Sequence, residues 1–498
     1  MTPPNAPAAG RSASVPPYRP PMNRTLDTIW AFIEKRVGTE KWAMRPQPDF
    51  SFNPSYWTGA FVANAFIVQV TTGLLLLFYY VPSTASATAG APPEAWASTN
   101  YIIHGVPLGW LLLSAHLYGA YATIFLAFVH FFRGFYAGVY KPPRELSWMI
   151  GTLLLAAMLG MGFTGYLLPY TALSVGATDV GIALTLSVPG IGPPTAKLIL
   201  ADGTPQGLLS RMFALHVVAI PLALAALLYA HISLFEIHGI SPRASSDPRA
   251  KRVLAHEDDH RMGHFFPKVF FYMTKWVLFY AGLLVMMAAA WPVTLAAYYG
   301  SSSSAAASPE PDWYFLWLYK LADFQYVSPF VAVGTVTAVL VFILFLPWIS
   351  QIFPFLDGGR KTHPRDRPVM LGVANFLVGF FILMTVWGGI MPGVVIPATF
   401  YATYLGALAA VNAVVIFALY MMYRASYRAR VAAKEGRRRS LAHSASARPP
   451  SSSPAPSPAP SGPTSPRPVA LAPASPPTPS GAPLLAPVPP TGEAVTRG

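Results

Sequence analysis

Leu111-Leu-Leu-Ser-Ala-His116-Leu-Tyr-Gly-Ala-Tyr121-Ala-Thr-Ile-Phe-Leu-Ala-Phe-Val-His130-Phe-Phe132 is an apolar run long enough to cross a bilayer, and it carries two imidazoles. A spanning helix needs about 20 such residues, and an ionisable side chain at that depth is costly enough to mark function. A second run, Met212 to Ile237, carries His216 and His231. The chain has 11 histidines, and only these four lie inside apolar spans.

The rest of the chain agrees with a membrane setting. Of its 498 residues 53% are hydrophobic and only 11% charged, whereas soluble domains carry about 25% charged residues. Cysteine is absent, which excludes disulfides, thiolate-held clusters, thiol catalysis and haem tethered through a Cys-x-x-Cys-His motif. The net charge of +14 sits in particular loops, so it does not call for a nucleic-acid partner. The first 20 residues are Pro-rich without an apolar core, so no cleavable signal peptide is expected.

Eight spans are expected, at 57–80, 108–132, 147–168, 212–237, 269–298, 330–350, 369–390 and 398–423. Lys and Arg gather in the loops after the second, fourth and sixth spans and at both termini, while the loops after the first and seventh have none. The positive-inside rule therefore puts both termini in the cytoplasm, in the inner membrane of a bacterial-type cell. The loops after the third and fifth spans are long and semi-apolar, as in Ile182 to Pro194 and Trp313 to Leu321, which suggests helices lying along the outer face. The fold class expected is an all-α integral membrane protein of eight transmembrane helices, the first four forming a dihaem four-helix bundle. Residues 1–22 read as disordered and 23–45 as an interfacial amphipathic helix, with Leu26, Ile29, Trp30, Ile33 and Val37 at helical spacing. The dihaem half is read as 46–245 and a second half with the outer loop as 246–430. From 431 to 498 the chain reads as a disordered tail, with 17 prolines between Arg448 and Gly498.

The haem reading comes from spacing. His116 and His130 are 14 residues apart, His216 and His231 are 15 apart. At 1.5 Å rise these are separations of about 21–22 Å, with each pair within about 40° and 60° of one face. The second and fourth spans both run inward, so His116 and His216 share the outer level and His130 and His231 the inner one. Two facing imidazoles can ligate one iron axially, and two levels make two stacked, non-covalent b-type haems. Four separate hydrogen-bonded histidines would not need matched pairs at matched depths. Gly59 and Gly73 on the first span, and Gly151 and Gly165 on the third, repeat the 14-residue step. Both spans run outward, which puts Gly59 and Gly151 at the inner level and Gly73 and Gly165 at the outer. Glycine lets a helix backbone approach a bulky planar group, although small residues also serve plain helix packing.

These features, with Phe66-Ile-Val-Gln-Val-Thr-Thr-Gly73, Lys141-Pro-Pro-Arg-Glu-Leu-Ser-Trp148, Phe163-Thr-Gly-Tyr-Leu-Leu-Pro169 and Arg211 five residues before His216, give the chain its resemblance. It resembles the cytochrome b/b6 subunit of quinol-oxidising, Rieske-containing cytochrome bc complexes. The 15-residue step is similar to the b6 branch. Pro311-Asp312-Trp313-Tyr314 resembles the Pro-Glu-Trp-Tyr quinol-site motif, and His363-Pro-Arg-Asp-Arg-Pro368 sits where the family has a basic loop. The similarity spans about 25–425, which implies a fused b6 plus subunit IV-like form.

What the resemblance implies is bifurcated quinol oxidation near the outer surface. One electron goes to a Rieske iron–sulfur partner and the other passes through two b haems to quinone near the inner face, with proton translocation. A cytochrome c-type subunit or acceptor and a homodimeric complex are implied in the same way. Asp312 and Tyr314 are the candidate catalytic residues, a carboxylate there being able to take a quinol proton; a turn aspartate after Pro311 is the plainer alternative. Arg133 and Arg211 are candidate haem-propionate partners, and equally membrane-edge anchors.

Departures from the family pattern are specific. Asp312 is one methylene shorter than the usual glutamate. Leu113 stands where many relatives have arginine, Tyr170 where tryptophan follows Leu-Leu-Pro, and Gly176 where an aromatic is typical. Trp57 occupies the place of the cysteine that tethers an extra haem in b6-type proteins, so no covalently held haem c is expected. His256, His260 and His264 have metal-like spacing but lie in a charged loop, and a solvated loop is the expectation. A secondary transporter with histidine proton relays, and a dihaem anchor that passes electrons without bifurcation, are the competing functions.

Overall fold

The computed structural model describes residues 24–38, 46–200, 203–242, 244–245, 262–301 and 310–446. The segment read as disordered at 1–22, the part of the 431–498 tail beyond 446, and His256 and His260 lie outside the described residues. An N-terminal helix α1 (Arg24–Val37) holds the sequence expected at the interface, with Ile29 and Phe32 exposed.

Among the described residues, eight helices are long and apolar enough to cross a membrane. They are α2 (Thr58–Leu76), α4 (Gly109–Ala137), α5 (Glu145–Leu167), α8 (Pro205–His238), α9 (Phe270–Ala290), α11 (Pro329–Ile352), α12 (Pro368–Ile390) and α13 (Ala398–Ser446). Shorter helices fill the links on one side by parity: α3 (Glu94–His104), α6 (Ala172–Leu186), α7 (Gly192–Leu200) and α10 (Trp313–Ala322). The semi-apolar loops of the sequence are thus helices, as expected. A short antiparallel ribbon, β1 (Pro46–Pro48) with β2 (Met262–His264), lies at the opposite end of the spans.

Span ends follow local chemistry. α4 outruns its expected end at 132 and stops at Gly138, whose φ of +63° returns its N–H to the Gly134 and Phe135 carbonyls. α9 stops at Ala290, short of the expected 298, because Trp291 precedes Pro292 and leaves helical geometry. α13 runs past 423 to Ser446, into the segment read as tail, where Ala, Arg and Lys favour helix and no proline intervenes. By packing the chain divides at Val431, and the described part of the second unit, 432–446, is helical.

Helix α2 packs on α4, and α5 on α8, around a middle layer of Val62, Ala127, Leu154, Met158 and Leu224. Large apolar side chains such as Leu222, Tyr229, Leu278 and Phe417 are left on the outside, which is where a lipid-facing surface puts them. The second half is joined to this bundle by a buried ionic knot. Asp357, between α11 and α12, meets Arg367 Nε at 2.7 Å and Lys141 Nζ at 3.1 Å. The Tyr140 and Ser350 hydroxyls donate to its carboxylate at 2.9 and 2.6 Å. Lys141 also donates to the carbonyls of Asp357, Gly359 and Lys361. A buried charge that loses its partner is strongly penalised, so the α4–α5 and α11–α12 loops are held together. Lys320 on α10 is buried likewise, and donates to the Met391 and Val394 carbonyls at 2.6 Å beyond the end of α12.

Candidate functional site

Helices α4 and α8 bring the four membrane-depth histidines together in two pairs. The ring centres of His116 and His216 are 6.3 Å apart with planes at 81°; those of His130 and His231 are 6.4 Å apart at 82°. The unequal steps of 14 and 15 residues are reconciled in the backbone. Leu215–Ala219 is a π-turn, and the Ile220 N–H bonds the Leu215 carbonyl five residues back. Pro221 follows and has no N–H to offer the ordinary ladder. A π-turn takes in one extra residue without advancing the helix face. The longer step on α8 therefore presents its two rings as the shorter step on α4 does.

Each predicted glycine backs onto one histidine. A Cβ at Gly73 would stand 3.2 Å from His116 Cε1, at Gly165 2.5 Å from His216, at Gly59 2.9 Å from His130, and at Gly151 3.2 Å from His231. The glycines therefore share the levels assigned to them, and what they admit is the imidazole ring itself.

The sequence reading missed what holds the rings. His116 Nδ1 lies 2.8 Å from Thr72 Oγ1, and His130 Nδ1 2.9 Å from Thr58 Oγ1. The Thr72 hydroxyl spends its proton on the Val68 carbonyl at 2.8 Å, while the Ser55 carbonyl lies farther from Thr58, at 3.4 Å. The Thr72 lone pair is then left to accept from His116, which fixes that ring's proton on Nδ1. His216 Nδ1 donates to the Met161 carbonyl at 3.0 Å, with Thr164 Oγ1 at 3.3 Å. His231 turns Nδ1 toward the Ser147 backbone without completing a bond of good geometry. The signal was legible: Thr58-Gly59, Thr72-Gly73 and Thr164-Gly165 are Thr-Gly pairs, and only Ile150-Gly151 is not.

Among the described residues none of the four Nε2 atoms makes a hydrogen bond. A ring separation near 6 Å also suits a T-shaped contact, so distance alone selects no ligand. The selection comes from four imidazoles with uncommitted Nε2 atoms, three of them held through Nδ1, paired at two depths. This donor set would suit an iron that binds imidazole nitrogen, and ligand histidines are commonly oriented through their other nitrogen.

The two arginines stand differently. Arg133 lies over the Tyr56 ring at 4.5 Å. Arg211, half-buried on α8, makes no hydrogen bond or ion pair among the described residues. Trp57 packs on Tyr272 and donates from Nε1 to the Ser51 carbonyl.

At the α10 end of the molecule Asp312 and Tyr314 line a narrow cleft with Phe163, Tyr166, Thr178 and Tyr319. Asp312 is the residue before α10 but caps nothing, although aspartate there ordinarily would. Its carboxylate instead accepts from Tyr121 Oη at 2.6 Å and Tyr314 Oη at 2.8 Å. Its backbone carbonyl accepts from the Phe315 N–H at 2.9 Å, as a residue opening a turn or helix does, while its side chain is left to the two phenols. Tyr314 is buried, and its hydroxyl occupies the space a Cβ on Gly162 would need. Burial raises the Asp312 carboxyl above its ordinary range, and the two phenol donors pull it partly back. Tyr166 donates to the Glu310 carbonyl at 2.7 Å, and Tyr319 to that of Ala177.

Known proteins share this architecture. The sequence model described as cytochrome b (N-terminal)/b6/petB matches residues 121–297. Cytochrome b of Sulfolobus acidocaldarius is 31% identical over 408 residues, covering 77% of this chain and 70% of that one. A cytochrome bc complex cytochrome b subunit of Chlorobaculum thiosulfatiphilum is 33% identical over 342 residues, covering 67% of this chain and 72% of its own. The menaquinol:cytochrome c reductase cytochrome b subunit of Geobacillus thermodenitrificans is 37% identical over 229 residues, which is 43% of this chain and 98% of that one. A chain of a hyperthermophilic respiratory Complex III superposes with a TM-score of 0.60 at 24% identity, covering 78% of this chain and 96% of that chain. At that identity the likeness speaks to the fold.

Proposed function

The chain belongs to the cytochrome b family, and on that premise we propose that it is the catalytic membrane subunit of a quinol:cytochrome c reductase-type complex. The activity proposed is bifurcated oxidation of quinol at the outer face, re-reduction of quinone near the inner face, and net proton translocation. The partners proposed are a Rieske iron–sulfur protein and a cytochrome c-type subunit or acceptor, in a homodimeric complex with both termini in the cytoplasm.

One observation carries this reading: two imidazole pairs at two levels, each ring engaged through Nδ1 or turned to backbone there, with Nε2 left uncommitted. His116 and His216 would hold the outer b-type haem, His130 and His231 the inner one, with Gly59, Gly73, Gly151 and Gly165 giving the rings room. When bound, such a group supplies reversible one-electron transfer. No cysteine is present to tether it.

The cleft residues do the proton work. Asp312 accepts a hydroxyl proton from quinol, the substrate oxygen keeping the electron pair of the broken bond. Its raised affinity for protons suits a base that must take one and later release it. Tyr314 supports the anion until the substrate hydroxyl takes over as donor. Phe163, Tyr166 and Tyr319 close the cleft around them, and the low-polarity walls strengthen each of these contacts.

The test is haem content and potential. The complex is purified with its partner subunits, b-type haem is quantified by pyridine haemochrome, and the potential is titrated. Two haems per chain, reduced in two one-electron steps, are expected. Well-folded protein without haem would overturn the reading and leave a histidine-relay transporter as the better account.

A further inference from the structure

We propose that Tyr121 is a positioning residue for quinol oxidation, holding the short Asp312 carboxylate from behind so that its other oxygen is presented to the cleft. The inference rests on the quinol-oxidising reading above and adds to it a residue that the motif Pro311-Asp312-Trp313-Tyr314 does not contain.

The argument starts from the backbone. A side chain at the residue before a helix is ordinarily oriented by capping that helix, and Asp312 makes no such bond. Something else must set its direction. The two oxygens have different donors: Oδ1 accepts from Tyr121 at 2.6 Å, Oδ2 from Tyr314 at 2.8 Å. Tyr314 lines the cleft and Tyr121 does not. Tyr121 comes from α4, five residues after His116, which at about 100° per residue turns it well away from that histidine's face. The carboxylate is thus gripped on its far oxygen by a helix of the bundle, while its near oxygen meets the cleft.

The groups around it are few. Tyr118 stands edge-on to Tyr121 at 6.3 Å between ring centres, and its own hydroxyl goes to the Trp291 carbonyl. Tyr166 on α5 and Glu310 in the loop face the same region, joined by the Tyr166 bond to the Glu310 backbone. Tyr319 on α10 is committed to Ala177. Among the described residues no cation pairs with Asp312. The two phenols are therefore what stabilises the anion, and a hydrogen bond to a charged acceptor is strong enough to move its titration by about one to two pH units.

The experiment uses the intact complex carrying Tyr121→Phe, which keeps the ring and removes the donor. The expected result is unchanged haem content, little change in KM for quinol, and a rate about tenfold lower near neutral pH. The acid limb of the kcat/KM profile should move upward by about one to two pH units. Tyr118→Phe, which removes a neighbouring phenol not bonded to Asp312, should leave the limb in place. Should Tyr121→Phe fail to assemble, 3-fluorotyrosine placed at position 121 is a stronger donor in nearly the same volume and should move the limb downward. A limb that stays put in the assembled variant overturns the role of Tyr121 while Asp312→Asn still stops turnover. Full activity in Asp312→Asn would instead sink the base reading on which this one rests.

Discussion

Thr72 Oγ1 lies 2.8 Å from His116 Nδ1, while its own proton goes to the Val68 carbonyl at 2.8 Å. The hydroxyl therefore accepts from the ring, and a histidine so held keeps its Nε2 lone pair free. Thr58 Oγ1 stands against His130 Nδ1 in the same way, at 2.9 Å. At His231 such a hydroxyl is missing, because Ile150 stands where the other three glycines have a threonine before them.

That asymmetry predicts a difference in potential. Ile150→Thr should give His231 Nδ1 an acceptor, make the ring a better donor to iron, and lower the inner midpoint potential. A hydrogen bond worth about 1 kcal/mol corresponds to roughly 40 mV in a one-electron couple. Potentiometry on the variant checks this, and a rise would contradict the bracing argument.

The glycines should rank by clearance. Gly165→Ala puts a Cβ 2.5 Å from His216, and Gly73→Ala puts one 3.2 Å from His116. Overpacking of this kind costs about 1–3 kcal/mol. The first variant should lose outer-level haem while the second keeps most of it. Haem-to-protein ratios after purification decide the order.

Asp312 gives a pH prediction with a definite sign. Burial raises its carboxyl above the ordinary carboxylate range near 3.9, and the base must be ionised to accept a proton. Quinol oxidation should therefore fall as pH drops through that raised value, above the range of an exposed aspartate. Asp312→Asn should remove the limb and lower turnover by about 10²–10⁴-fold with haem content intact. Steady-state rates between pH 4 and pH 8 provide the check.

The knot at Asp357 should matter to assembly rather than to chemistry. Asp357→Asn leaves Arg367 and Lys141 buried without their counter-charge, a loss of about 3–5 kcal/mol. Thermal unfolding should come earlier, and protease should cut the loops around Lys141 and Lys361 sooner. Unchanged melting would mean that the carbonyl bonds of Lys141 alone hold the two halves.

Eight spans, the two histidine levels and the glycine register were legible before any fold was known. Each is a one-dimensional property: a helix has a fixed rise and turn, so residue spacing becomes depth and face directly. The semi-apolar links read as helices for the same reason. Other features pass through space. Tyr121 lies 191 residues from Asp312 along the chain, and Asp357 lies more than 200 from Lys141. No periodicity connects them.

The sequence by itself determined that this chain crosses a membrane, which side chains sit at membrane depth, and at what levels, because hydrophobic length and helical spacing are local. Only the tertiary structure decided which histidines are braced through Nδ1, how Pro221 reconciles a 15-residue step with a 14-residue one, and that Asp312 is held by two phenols instead of capping its own helix. Those outcomes depend on which atoms of distant segments come within hydrogen-bond range, and that is fixed only when the helices pack.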